Sequence, residues 1–212
     1  CVIGNPEPDP RRAPRRIGID DVQSGRLDSD LVQIEGVVQE VKLWEQNLVL
    51  AVMTSLGCVE VCVAEGTSDE AARLIDASVR VVGVYGVVPD RFRQSNGYRV
   101  FTTSLSGVEV IGRPPNDPFE AEPVPVERLL TDQRERLGSH RVKIHGTVTG
   151  LARSGSIFVQ DGNASVRVLP SGPASVRPGD RVEAAGFFDQ GRHAPRLTGA
   201  MLRVVGVRSP LG

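Results

Sequence analysis

Two small all-β barrels in tandem are what this sequence predicts, and three observations predict them. Residues 177–188 run Arg-Pro-Gly-Asp-Arg-Val-Glu-Ala-Ala-Gly-Phe-Phe, a Pro-Gly-Asp turn followed by the period-2 alternation of a strand. An earlier stretch, residues 76–85, has the same shape, with Gly83 at the place of Gly186. Between the two lies a proline-rich segment, five prolines in the thirteen residues 113–125, which favours an extended, semi-rigid joint. The organisation follows: a Pro-rich tether (1–16), a first domain (17–112), a linker (113–123), a second domain (124–207) and a tail (208–212).

In the first domain, 17–22 is a short lead-in and 32–38 a strongly alternating strand. Gly36 stands there where a barrel strand would bend or bulge. Residues 48–54 and 57–64 form a hairpin. Thr67 and Glu70 then make a capping box that opens a short helix over 71–75. Residues 78–88 are the fourth strand, 89–97 a long polar loop, and 98–111 a fifth strand interrupted near 104–107. Five strands with a helix after the third is the order of an OB-fold barrel.

The second domain repeats the plan. Val124 to Leu129 repeats the lead-in, and Val142-Lys-Ile-His-Gly146 matches Val32 to Gly36 at an offset of 110 residues. Gly186 matches Gly83 at 103, so the second copy is shorter inside, and what it lacks is the helix. Leu202 to Gly206 closes it as Val108 to Gly112 closes the first.

Composition narrows the function. Charged residues make up 24% and the net charge is -1, so nothing attracts a polyanion or an anionic membrane as a whole. Aromatics are 4%, with Phe158 alone on the second and third strands, which argues against single-stranded nucleic acid. No apolar run reaches the 18 or more residues of a membrane helix. No nucleophile elbow, zinc-protease helix, phosphate loop or dinucleotide fingerprint occurs, so the expectation is a non-enzyme with no cofactor and no metal. Cys58 and Cys62 sit four apart on one strand, roughly 13 Å between Cα atoms, beyond the roughly 7 Å of a disulfide. They are expected to face the core.

Candidate binding residues follow from the loops by which OB barrels bind. The loop joining strands one and two would hold Lys42 and Trp44, and the loop joining strands four and five Arg91, Phe92, Arg93 and Tyr98. Together these offer stacking surfaces and cationic donors for an anionic or aromatic molecule, a glycan or a peptide. The second domain offers Gln160, Asp161, Arg192 and His193, with Asp161-Gly162 also reading as a plain hairpin turn. His145 points outward from its strand. Cys1 followed by a Pro-rich stretch is how an acylated bacterial lipoprotein starts, and is equally consistent with a boundary that happens to fall on Cys.

The run Ile157-Phe-Val-Gln-Asp-Gly162, followed by Arg177-Pro-Gly-Asp-Arg-Val-Glu183 and the Gly186 strand, resembles a known family. These are the extracytoplasmic OB-like repeats ahead of the membrane helix in bacterial sensor histidine kinases and related signalling proteins. The resemblance is close over 124–207 and weaker over 17–112. It implies a periplasmic or surface location and a sensing or partner-binding module without catalytic residues. A protein partner or self-association, a small molecule or a glycan are the partners it leaves open. Membrane contact would come only through a lipid at Cys1 or a segment outside this chain. The alternative is a structural subunit or lipoprotein of an envelope or extracellular assembly, joined through open strand edges.

Overall fold

The structure, a computed structural model, describes residues 14–16, 29–44, 47–88, 97–131, 139–191 and 194–207. It is all-β apart from two short helices, and forms two compact units, 1–114 and 115–212.

The first unit contains β1 (Arg15–Arg16), β2 (Leu31–Trp44), β3 (Asn47–Thr54), β4 (Gly57–Glu65), α1 (Ser68–Ala72), β5 (Ser78–Val88), β6 (Gly97–Ser104) and β7 (Val108–Gly112). Strand order is β1-β2-β3-β4-β6-β5-β7, and a further β2–β5 pairing closes β2, β3, β4, β6 and β5 into a five-stranded barrel. The third and fifth barrel strands, β4 and β6, are parallel, and β5 returns antiparallel between β6 and β2. That is the OB arrangement. α1 has its predicted capping box, Thr67 accepting from the Glu70 amide and Glu70 from the Thr67 amide. The predicted interruption of the fifth strand is a 3-10 turn, Leu105–Gly107.

The second unit contains α2 (Val126–Thr131), β8 (Arg141–Leu151), β9 (Ile157–Asp161), β10 (Ala164–Pro170), β11 (Asp180–Asp189) and β12 (Arg196–Val207). It closes as β10-β12-β11-β8-β9, again with the third and fifth strands parallel. No helix follows the third strand. Val126 and Leu129 of α2 and Val176 of the 171–179 connection join the core instead. The repeated lead-in is therefore a helix whose apolar side supplies what the missing one would have buried.

The duplication extends to small irregularities. Register shifts fall at Gln39 on β2 and Thr149 on β8, the same 110 residues apart. The tight turn before the fourth strand puts Asp76 at φ 71° and Gly179 at φ 96°, and their amides bond the Val38 and Val148 carbonyls at 2.7 and 2.8 Å. The residues just before each lead-in pair alike, Arg16 beside Gln33 and Pro123 beside Lys143.

Gly36 is not where the strand bulges. A methyl there would meet the Met53 carbonyl, as a methyl on Gly146 would lie 2.5 Å from that of Gln160. Both glycines let the strand lie against its antiparallel neighbour, β3 or β9, closer than any side chain permits.

The cores are mostly aliphatic, with Tyr85 in the first and Phe188 in the second. Val32, Val38, Leu50, Val52, Val61, Val81 and Val100 fill the first, and Ile144, Val159, Val168, Val182, Ala184 and Leu197 the second. Each set is one face of period-2 strands. The cysteines are on the other face. Val59, Val61 and Val63 take the core side of β4, so Cys58 is exposed and Cys62 half-buried on the outside.

Candidate functional site

On the outer face of the first barrel, β3, β4 and β6 set Ala51, Glu60 and Arg99 in one cross-strand row and Val49, Cys62 and Phe101 in the next. Arg99 donates to Glu60 at 2.7 Å, and its guanidinium lies over the Trp44 ring at 4.4 Å. Arg99 is thereby held from two sides and mostly buried, with 17% of its side chain exposed. The indole keeps 49% of its surface in water and Phe101 keeps 37%. Lys42 pairs with Glu40 at 2.7 Å on the same strand as Trp44. The result is an aromatic surface around a fixed cation, on the strand-two and strand-three face by which OB barrels bind.

Lys42 and Trp44 do not lie in a loop. β2 runs on to Trp44, which pairs with Asn47 across a two-residue connection. The alternation after the Gln39 bulge puts Glu40, Lys42 and Trp44 on the outer face, so the strand presents the indole. Of the other predicted residues, Arg91, Phe92, Arg93, Arg192, His193 and Cys1 lie outside the described residues. Tyr98 is on β6, and its side chain is likewise outside the description.

Arg99, Glu60 and Phe101 went unpredicted. Alternation marks each as outward-facing, but only the parallel pairing of β4 with β6 brings Glu60 beside Arg99. Burial pushes the Cys62 thiol above its ordinary pKa, and Arg99 nearby opposes the shift. Cys62 is therefore a weak nucleophile at neutral pH.

The second barrel has a polar hollow of about 410 Å3, lined among others by Thr147, Gln160, Asp161, Arg181 and Glu183. His145 points outward as predicted, and the fold brings Asp161 of β9 within 3.6 Å of its Nε2. The same carboxylate accepts a 3.2 Å hydrogen bond from the Val126 amide at the start of α2. Asp161 thus caps a helix far away in sequence. Gly162, with φ 58°, opens the two-residue turn that Asp161-Gly162 predicted. Phe158 stands two residues before Gln160, on the same outer face, and is 40% exposed. Among the described residues no three His, Cys, Asp or Glu side chains are gathered as a metal site. No described helix is long and apolar enough to cross a membrane.

The fold and these faces define a protein of two tandem OB-like barrels. No protein-family model matches the chain, and no curated protein matches it. Among solved structures it is similar to the hypothetical protein ygiW of E. coli, at 17% identity over 41% of this chain and 92% of that one, TM-score 0.34. A murine DNA-binding protein bound to double-stranded DNA matches at 14% identity over 85% and 98%, TM-score 0.34. Asparaginyl-tRNA synthetase from Pyrococcus horikoshii matches at 25% identity over 49% and 25%, TM-score 0.34. At TM-scores this low, none of the three bears on what this chain binds.

Proposed function

We propose that this chain is a non-catalytic binding module of the extracytoplasmic sensor type, exported to the periplasm or cell surface, and that the first barrel carries its ligand face. The observation that supports this most is the Trp44–Arg99–Glu60 arrangement. An arginine held by a carboxylate and an indole is preorganised, so little side-chain entropy is lost when a ligand meets it. Half-exposed Trp44 and Phe101 beside it suit a flat or aromatic group, and Arg99 an anionic one. A small aromatic acid, a glycan or a peptide end fits that description. The tandem barrels and the proline-rich joint support the sensor type, in keeping with the repeats that 124–207 resembles.

Trp44 is the single tryptophan, so the test has a built-in probe. Titration with aromatic carboxylates, oligosaccharides and short peptides is expected to shift or quench its emission for one class. Arg99→Ala should abolish the response while the melting curve of the second barrel stays in place. A flat titration with every class, or a response that Arg99→Ala leaves intact, sinks the reading. Fractionation of native cells tests the location separately, and recovery from the cytoplasm would overturn export.

A further inference from the structure

Among the described residues, each barrel ends on a strand with one unpaired edge. β12 pairs with β11 along its length, but β10 accompanies it only as far as Ala200. Among the described residues no strand pairs with the other edge of 201–206. Among the described residues β7 likewise pairs with β5 alone. Exposed edges with apolar side chains are templates for another strand, and these two are apolar: Val110 and Ile111 are each 44% exposed, Met201 41% and Val204 43%. Beside β12 the second barrel lacks the inserted helix of the first, and a groove of about 460 Å3 takes its place. Pro170, Pro173, Val176, Met201 and Leu202 line it.

We propose that β7 of one copy adds to the β12 edge of a second copy, antiparallel, with Glu109 opposite Arg203. This goes beyond the ligand-binding reading and does not depend on it. In that register Val108 meets Val204, Val110 meets Leu202 and Ile111 meets Met201, so every apolar residue finds an apolar partner. The charges fit as well. Glu109 accepts from Arg80, which also bonds Glu35, and Arg203 donates to Glu183, which faces Lys143. Joined at Glu109 and Arg203, the two rows become one alternating sequence: Glu35, Arg80, Glu109, Arg203, Glu183, Lys143. A symmetric pair of β12 strands centred here would set Arg203 against Arg203, and a pair of β7 strands Glu109 against Glu109, like charges that disfavour both. The contact is therefore heterologous. Each chain carries one edge of each kind, so copies join head to tail into a ring or an open chain.

The test uses the whole chain and two edge variants, Val110→Lys and Val204→Lys, each placing a charge on one edge only. Sedimentation velocity up to about 200 µM is expected to show the wild type growing past a dimer. Each variant alone should lose association by about tenfold or more. An equimolar mixture of the two should form a dimer, because each supplies the edge the other has lost. Circular dichroism and melting curves check that the variants are folded. If either is not, Glu109→Lys and Arg203→Glu replace them: each alone should lose association, and their mixture, in which both contacts again join opposite charges, should grow past a dimer like the wild type. A monomeric wild type, a single variant that associates as tightly as the wild type, or a mixture that associates no better than its components overturns the proposal.

Discussion

Near the start of the fourth strand the first barrel carries Arg80 and the second, at the matching position, Glu183. Arg80 is bracketed by Glu35 at 2.9 Å and Glu109 at 3.0 Å, all three well exposed. Glu183 is bracketed by Arg203 at 2.6 Å and Lys143 at 3.9 Å, and only 20% of its side chain is exposed. The signs are inverted on one backbone, so this outer position specifies complementarity and not a particular charge. Cover makes the difference in weight. Residues 119–124 lie over the second network: Lys143 donates to the Phe119 carbonyl at 2.9 Å, Arg203 stacks on the Phe119 ring at 4.6 Å, and the Val124 amide bonds the Lys143 carbonyl at 2.7 Å. In the first network the corresponding strand, β1, brings only Arg16 to 3.5 Å from Glu35, and Arg16 is itself 77% exposed. Charges shielded from water interact more strongly and are costlier to leave unmatched.

The largest test of the comparison concerns how each barrel fills its core. Leu129 of α2 is fully buried, and Leu129→Ala is expected to cost the second barrel about 2–5 kcal/mol. Urea unfolding followed by far-ultraviolet dichroism should reveal that loss, while Trp44 emission, which reports the first barrel, should keep its midpoint. A shift of both together would mean that the two units unfold as one.

A smaller effect separates the paired glycines. A methyl on Gly83 would lie 2.5 Å from the Phe101 carbonyl oxygen, whereas on Gly186 its nearest neighbour is the Ala200 Cβ at 3.0 Å. Gly83→Ala should therefore cost about 1–3 kcal/mol and Gly186→Ala under about 1 kcal/mol, read from the same two probes. Equal costs would show that the fourth strands are not packed as described.

Next come the networks. Glu183→Ala leaves Lys143 nearly buried without its carboxylate and should destabilise the second barrel by about 1–3 kcal/mol. Arg80→Ala should cost the first barrel less, because water and salt screen its partners. Melting both variants at low and high salt checks the order, and a larger loss for Arg80→Ala would reverse it.

The smallest effect is in pH. The hydrogen bond from Arg80 holds the Glu35 carboxyl below its ordinary pKa. Its contribution is present above the unfolded value, about 4.3, and is lost as pH falls through the lowered folded value. Glu35→Gln should flatten the acid limb of the first barrel's melting curve. At the matching position the second barrel has His145 in place of this carboxylate. An unchanged limb in Glu35→Gln would place the acid sensitivity elsewhere.

Much of this architecture is legible in the residues. Period-2 alternation, the Pro-Gly-Asp turn, the Thr67–Glu70 box and the repeat offsets are local signals, each set by a few neighbours along the chain. They suffice for the order of the strands, the duplication and the inserted helix in one copy but not the other, though not for the length of β2, which runs on past 38 to Trp44. The outward pointing of His145 is legible for the same reason. Cys58 and Cys62 were misread because alternation gives two faces without saying which is inside. Val59, Val61 and Val63 claim the core by being larger and branched. Of the bend or bulge expected at Gly36, the bulge sits three residues on, at Gln39, and the glycine answers to the Met53 carbonyl of its hairpin partner β3.

What the sequence by itself determined, then, is the list of strands, their repeat and the residues that turn outward. Tertiary structure decided which outward residues meet. Glu60 and Arg99 are 39 positions apart and touch because β4 and β6 are parallel neighbours, and Asp161 reaches Val126 across 35 positions. Side-chain alternation is a property of one strand, whereas the order of strands around a barrel is a property of closure, and closure alone brings such distant positions together.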